Sequence, residues 1–374
     1  MKKVKIDFEN VLTMDMLIAA DFVVRDGKVV SKTMKIWDKH WDLNFQILYD
    51  DLINGTYQLS PAELRPRRTK GGKMRNIIVL HHRDNIVCEV ITRILDPILT
   101  PTFVPNTYAN IKGRGPQKCQ DRIVRDLPKY KYPYFLKMDI EKYYESTDYD
   151  IMYSVIKKKI RGNLFLSTVY KILEFFKHLP IGARHSPICG NANLAELDRK
   201  ILQDYGLSDY YRYCDDMIIL HEDKKVLHTA KRDISNYLET NRKLNIKRNW
   251  VVRPVDAQGI DFLGSVIYTY QIRLRTSVKK RHEQRLAELN KKPASVAYED
   301  GYMSALKSIL MYRDTINLLI EWRSRYENIF ERFERRQAAR AAINACKERN
   351  ERVAAELQYN GEIADGLISR GYSV

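Results

Sequence analysis

The chain has 374 residues, 44% hydrophobic and 30% charged, an ordinary globular composition long enough for two or three structural units. Its 64 Lys and Arg against 47 Asp and Glu give a formal charge of +17, which favours a polyanionic partner, either nucleic acid or an anionic membrane surface. No uninterrupted apolar stretch of about 18 residues occurs, and no long apolar core follows the basic start MKKVKIDFENVL, so neither a membrane span nor a secretory signal is expected.

In chain order, apolar residues at helical spacing predict a helix from Ile36 to Leu52, ended by Asn54-Gly55. The segment LRPRRTKGGKMRNIIVLHHRD predicts a β-hairpin with a basic tip around Gly71-Gly72. Residues 85–99 predict a buried amphipathic helix stopping near Pro97 and Pro101. From 132, YPYFLKMDIEKYYESTD opens as an apolar strand and turns into a helix after Asp139. Residues 164–177 are predicted helical, and LPIGARHSPICGNANLAELDRKI gives a loop followed by a helix. A hairpin at 210–220 comes next, then a basic amphipathic helix at 224–244. IDFLGSVIYTYQIRLR alternates like paired strands, and from about 279 the pattern is helical and charge-rich. A compositional boundary near 275–280 thus separates a mixed body from a helical, basic remainder. The five cysteines (Cys88, Cys119, Cys189, Cys214, Cys346) are odd in number, widely spaced and form no CxxC pair, which argues for a reducing cytoplasm.

The chemistry concentrates on carboxylates. Asp215 and Asp216 stand side by side between Tyr213 and the apolar run MIIL, and two carboxylates held close repel unless a cation or proton intervenes. Asp139 ends an apolar strand, so in one antiparallel sheet the three could converge, a hard oxygen set suited to Mg²⁺. Two such ions would clamp the attacking and leaving oxygens of a phosphoryl displacement. Lys70, Lys73 and Arg75 on the basic hairpin could face a triphosphate, and Gly182 could allow close backbone approach to a nucleotide.

Six stretches in order resemble the motifs of prokaryotic, group II intron-like reverse transcriptases: GGKMRNIIV, TYANIKGRGPQKC, FLKMDIEKYYESTD, LPIGARHSPICGNANL, YCDD and IDFLG. The resemblance implies an α+β right-hand polymerase: 1–130 fingers with an N-terminal helical extension and part of the palm interleaved, 131–278 an antiparallel-sheet palm, and 279–374 a helical basic thumb with its extension. It implies that Asp139, Asp215 and Asp216, helped by the Ile140 backbone, bind two Mg²⁺ ions. It places Tyr144 as a steric gate against a ribose 2′-OH, so deoxynucleotides are the expected substrate. Lys73, Arg75, Ile181 and Gly182 would face the nucleotide, and Lys247, with Lys243 and Arg248 as rivals, the departing pyrophosphate. Tyr213, Cys214, Phe262, Leu263 and Gly264 would meet primer and template.

There are departures from the family pattern. Ile181 stands where Gln is common, and Ser186-Pro187 where diversity-generating enzymes carry Ser-Gln. No zinc-bearing endonuclease tail or RNase H-like acidic set follows residue 280. The compact chain most resembles the defence-associated reverse transcriptases, with class 2 as the candidate group. Members of that class copy a dedicated structured noncoding RNA into cDNA during phage infection. Diversity-generating retroelement and retron enzymes are the runners-up; an RNA polymerase and a catalytically silent RNA scaffold are more distant readings. A homo-oligomer is allowed but not indicated.

Overall fold

A computed structural model of the chain describes residues 3–68, 72, 74–311 and 315–369, with backbone alone at 311, 350 and 353–369. The chain divides into two compact units, Met1–Leu263 with Ile267–Tyr270, and Gly264–Val266 with Gln271–Val374.

After a two-residue strand at Val4–Lys5 and a short helix at Phe8–Val11, the first unit carries α1 (Met14–Arg25) and α2 (Trp41–Ile53), then the hairpin of β1 (Glu63–Arg68) and β2 (Met74–Val79) and α3 (His82–Leu99). Next come α4 (Pro116–Asp126), β3 (Tyr134–Asp139), α5 (Tyr149–Lys157), α6 (Asn163–Phe176) and α7 (Ser186–Gln203). It closes with the hairpin of β4 (Tyr210–Tyr213) and β5 (Asp216–His221), then α8 (Lys224–Arg242) and β6 (Val251–Pro254). The antiparallel order is β4-β5-β3-β6, which makes the predicted hairpin and the predicted strand before Asp139 direct neighbours.

The two central strands are buried on both faces. Leu136 and Met138 on β3, with Met217 and Ile219 on β5, share one buried cluster with Leu194, Leu197 and Ile201 of α7 and Leu227, Ile234 and Leu238 of α8, and on the opposite face Phe135, Ile218 and Leu220 are buried as well. Because β3 pairs Met138 with Met217, the next pair along the ladder is Asp139 with Asp216, where the apolar run ends. Local signals set the helix starts: Asp148 accepts the Ile151 N–H at 3.0 Å, and Asp223 accepts the Lys225 N–H at 2.7 Å.

Three expectations need correction. The helix from Ile36 to Leu52 is two, Lys32–Asp38 and Trp41–Ile53, broken at His40. A continuous helix would put Trp37 and Phe45 about 12 Å apart along its axis. Their rings instead meet edge to face at 5.1 Å in the core. The helix at 85–99 starts earlier, at His82, while its end at Leu99 is as expected; Pro97 is accommodated there because a proline so close to the end frees only one carbonyl. After Asp139 the chain does not turn directly into a helix; Lys142 adopts a left-handed φ of 44° before the short helix Tyr143–Ser146.

In the second unit, α9 (Thr276–Lys291), α10 (Val296–Met311), α11 (Ile316–Arg325) and α12 (Glu327–Ser369) bring Leu286, Leu306, Trp322, Ile329 and Phe333 into one core. The helices expected from about 279 onward are thus present. Glu299 is buried and accepts hydrogen bonds from Arg332 and Arg336, both at 3.0 Å. Burial pushes its carboxyl up, but the bonds from Arg332, the Ala294 N–H and Arg336 outweigh that and leave it below the ordinary value. A depressed folded value contributes stability that is present above the unfolded pKa and lost as pH falls through the folded one. Glu299→Gln should therefore cost about 2 kcal/mol at pH 7 in urea unfolding, with the difference from wild type shrinking toward pH 3; an equal deficit at both pH values would refute this account.

Candidate active site

Asp139 and Asp216 are register partners at the end of the β3–β5 ladder, and Asp215 occupies the two-residue loop between Tyr213 and Asp216. The Ile140 N–H donates to the Asp215 carbonyl at 3.3 Å, so the backbone after Asp139 is tied to that loop. The sequence-predicted trio is therefore gathered on one edge of one sheet. Burial, then the Asp139 and Asp216 charges, push the Asp215 carboxyl up to about 7.

A cation already stands there. Lys247 Nζ lies 2.5 Å from Asp139 Oδ1, and the Lys247 N–H donates to the Asp139 carbonyl at 2.8 Å. The Ile140–Ile246 bridge carries NIKRN alongside the end of β3. Of the three rivals, Lys243 is engaged by Asp148 at 2.7 Å and Arg248 is exposed, so the structure brings only Lys247 to the aspartates.

Among the described residues, no three His, Cys, Asp or Glu side chains stand in ligand geometry for a metal. The donor set nevertheless fits a divalent cation. It consists of hard carboxylate oxygens, and the Asp139 and Asp216 charges crowd a partly buried Asp215, with Lys247 on Asp139 as the cation shown at the three aspartates.

The surrounding residues divide by position. Tyr143 is buried and donates to the Gly190 carbonyl at 2.5 Å, whereas Tyr144 is half-buried with its hydroxyl 3.7 Å from Cys214 Sγ. Tyr144 therefore sits beside the aspartate loop and Tyr143 in the core. Ile181 and Gly182 dock on the chain itself: the Ile78 N–H donates to the Ile181 carbonyl at 3.0 Å, and a Cβ on Gly182, at φ +109°, would meet Ile77 at 3.0 Å and the Ile78 carbonyl at 3.1 Å. The close approach expected of Gly182 is thus accounted for by β2. Arg75 faces Arg67 directly across the basic hairpin, and both are exposed. Like charges so placed repel, which suits a polyanion. Lys70 and Lys73 lie outside the described residues. In IDFLG, buried Gln120 donates to the carbonyls of Phe262 at 3.0 Å and Leu263 at 3.2 Å, while Lys137 donates to that of Asp261. Leu263 and Gly264 both adopt positive φ, +50° and +86°.

Sequence reasoning missed the group that fixes the loop. Arg212 is fully buried and grips Asp198 of α7 through two bonds, Nε at 2.8 Å and Nη2 at 2.6 Å. Its Nη1 donates to the Cys214 carbonyl at 2.9 Å and to Asn191 Oδ1 at 3.2 Å. Tyr210 and Thr107 complete the Asp198 carboxylate at 2.7 and 3.1 Å. The available signal was a guanidinium inside an otherwise apolar strand, which needs a buried acid.

Two outcomes follow for the metal-free protein. Because Asp215 has a raised folded value, its ionisation destabilises the fold as pH rises from about 4 to about 7. Asp215→Asn should raise Tm at pH 8, with the gain vanishing near pH 4; a gain independent of pH would refute the electrostatic cause. Arg212→Met leaves Asp198 buried and uncompensated and should cost about 3–5 kcal/mol in denaturant unfolding. A loss below 1 kcal/mol would show that the pair does not hold this region.

Residues 67–267 match the family described as reverse transcriptase (RNA-dependent DNA polymerase). Protein YkfC of Escherichia coli strain K12 is 21% identical over 272 residues, 59% of this chain and 70% of that protein. The COX1/OXI3 intron 1 protein of Saccharomyces cerevisiae is 27% identical over 145 residues, 38% of this chain and 17% of that protein. Telomerase from Candida albicans, solved with a fragment of telomeric RNA, aligns at a TM-score of 0.48 and 11% identity, covering 81% of this chain and 60% of that one. The chain therefore spans only part of the length of these relatives. With the matched region taking in more than half of the sequence, the α+β sheet and all three aspartates, the chain belongs to the reverse transcriptase family.

Proposed function

We propose that the chain is an RNA-directed DNA polymerase that copies a dedicated structured noncoding RNA into cDNA in antiphage defence, acting in a reducing cytoplasm. The observation that carries the reading is the pairing of Asp139 with Asp216 beside a loop that holds Asp215, all on one sheet edge. Asp139, Asp215 and Asp216, with the Ile140 carbonyl, would hold two Mg²⁺ ions, which when bound supply charge stabilisation to the phosphoryl oxygens.

The chain's own groups do the rest. Tyr144, beside Cys214, presents its ring where a ribose 2′-OH would have to pass, so the site selects deoxynucleotides. Arg67 and Arg75 offer their guanidinium groups to the triphosphate or template. The primer 3′-oxygen bonds to the α-phosphorus, its proton goes to water, and the bond to the β,γ-diphosphate breaks. Of the three basic candidates Lys247 stands nearest the aspartates to meet that departing diphosphate, since Lys243 is engaged and Arg248 exposed. The defence role rests on the motif pattern of YCDD with the loop PIGARHSP.

RNA and DNA that copurify with wild type and with Asp215→Ala/Asp216→Ala test this reading. One enriched small RNA and aspartate-dependent complementary DNA, extended with deoxynucleotides in preference to ribonucleotides, are expected. Adenine-directed errors would move the assignment to diversity-generating enzymes and a branched RNA–DNA product to retrons. No enriched RNA and no aspartate-dependent DNA would remove the polymerase reading.

A further inference from the structure

Away from the aspartates, α3, α5, α7 and α8 line a half-open pocket of about 340 Å³. Its floor includes Ala192 and Ala195, and Lys158, Lys159, Arg199 and Arg242 stand around it with a single carboxylate, Glu196. Ala192, Ala195, Glu196 and Arg199 follow at i, i+3, i+4 and i+7 along one face of α7, whereas Asn191 and Asp198, on the neighbouring face, hold Arg212. The cavity thus shares a helix with the site's support but no residue with the aspartate centre.

Its charges do not balance. Glu196 is engaged by Arg242 at 2.8 Å, and the partner shown for Arg199 is the neutral Thr102 carbonyl at 3.1 Å. Lys158 and Lys159 have no ion-pair partner among the described residues, and burial, then the Arg199 charge, lower the Lys159 pKa. Cations crowded over an apolar floor are destabilised until an anion joins them. A forked guanidinium beside two ammonium groups matches the oxygens of a phosphate. The volume equals about ten waters, room for one phosphate with its sugar.

We propose that this cavity is a phosphate-binding site, separate from the aspartate centre, that takes one nucleotide unit, either free or as one residue of a bound RNA strand. It goes beyond the polymerase reading and does not rest on it. The full-length protein in EDTA, which removes divalent cations, is titrated calorimetrically with ADP, and single-stranded RNA binding is measured across a salt series. The variants are Lys159→Ala/Arg199→Ala and, because Lys158 is exposed and its replacement leaves packing alone, Lys158→Glu. If the ligand is free, ADP binds wild type and weakens at least tenfold in both variants, with RNA binding unchanged. If it is a strand residue, ADP does not bind, and the salt slope of RNA binding falls by about one unit in the variants. ADP and RNA binding by both variants equal to wild type would overturn the proposal.

Discussion

The candidate active site depends on one buried ion pair, Arg212 with Asp198. Taking both charges out of water costs several kcal/mol per ion, so such a pair is a poor source of stability in itself. What it supplies is a unique arrangement. The guanidinium spends its donors on α7, on Asn191 and on the Cys214 carbonyl, while its own backbone bonds to Asn106 and Tyr108. Three separate segments, α7, the aspartate loop and residues 106–108, are thereby referred to one arginine. An apolar residue of equal volume would fill the space without fixing any of them.

That fixed frame explains how the aspartate loop tolerates two unfavourable features. Cys214 holds a left-handed φ of +58°, which costs a residue with a Cβ about 1 kcal/mol. Asp215 sits beside two like charges in a partly desolvated position. Neither would persist in a free hairpin, whose turn would relax or whose carboxylates would splay. The Arg212 bond to the Cys214 carbonyl and the Ile140 bond to the Asp215 carbonyl clamp both residues of the loop, and Lys247 offsets part of the charge. The repulsion is concentrated where a divalent cation would relieve it.

Local pattern made the carboxylates, the strand before Asp139 and the hairpin around Cys214 legible, because apolar runs and turn chemistry act over a few residues. The register that pairs Asp139 with Asp216 was not, since Phe135, Leu136 and Met138 and the run 217–220 are buried on both faces and no alternation marks one of them. Spacing could not choose Lys247 over Lys243 and Arg248, since that choice depends on a bridge between residues about a hundred apart, Ile140 and Ile246. Gly182 was read as serving a ligand, although the closest groups are those of the chain's own β2, a contact made only in three dimensions. The break at His40 went unseen because helical periodicity continues across it, and only the Trp37–Phe45 contact reveals the turn.

The net charge of +17 likewise meant something different once partners were assigned. In NIFERFERRQAARAAINACKERNERV, a basic helix that can be read either as a grip on a duplex or as an ion-paired surface, the four arginines of its first half have carboxylate partners: Arg332 and Arg336 on Glu299, Arg335 on Glu331, and Arg340 on Asp300. Those charges are spent inside the unit, and drawing them onto a phosphate backbone would strand the buried Glu299 and Asp300. The basic hairpin is the opposite case, with Arg67 and Arg75 facing one another so that an approaching anion relieves repulsion instead of breaking a pair. Capacity for a polyanion therefore follows the cations whose neighbours are also cations. A count of basic residues cannot find them, because it weighs a committed arginine and a crowded one alike.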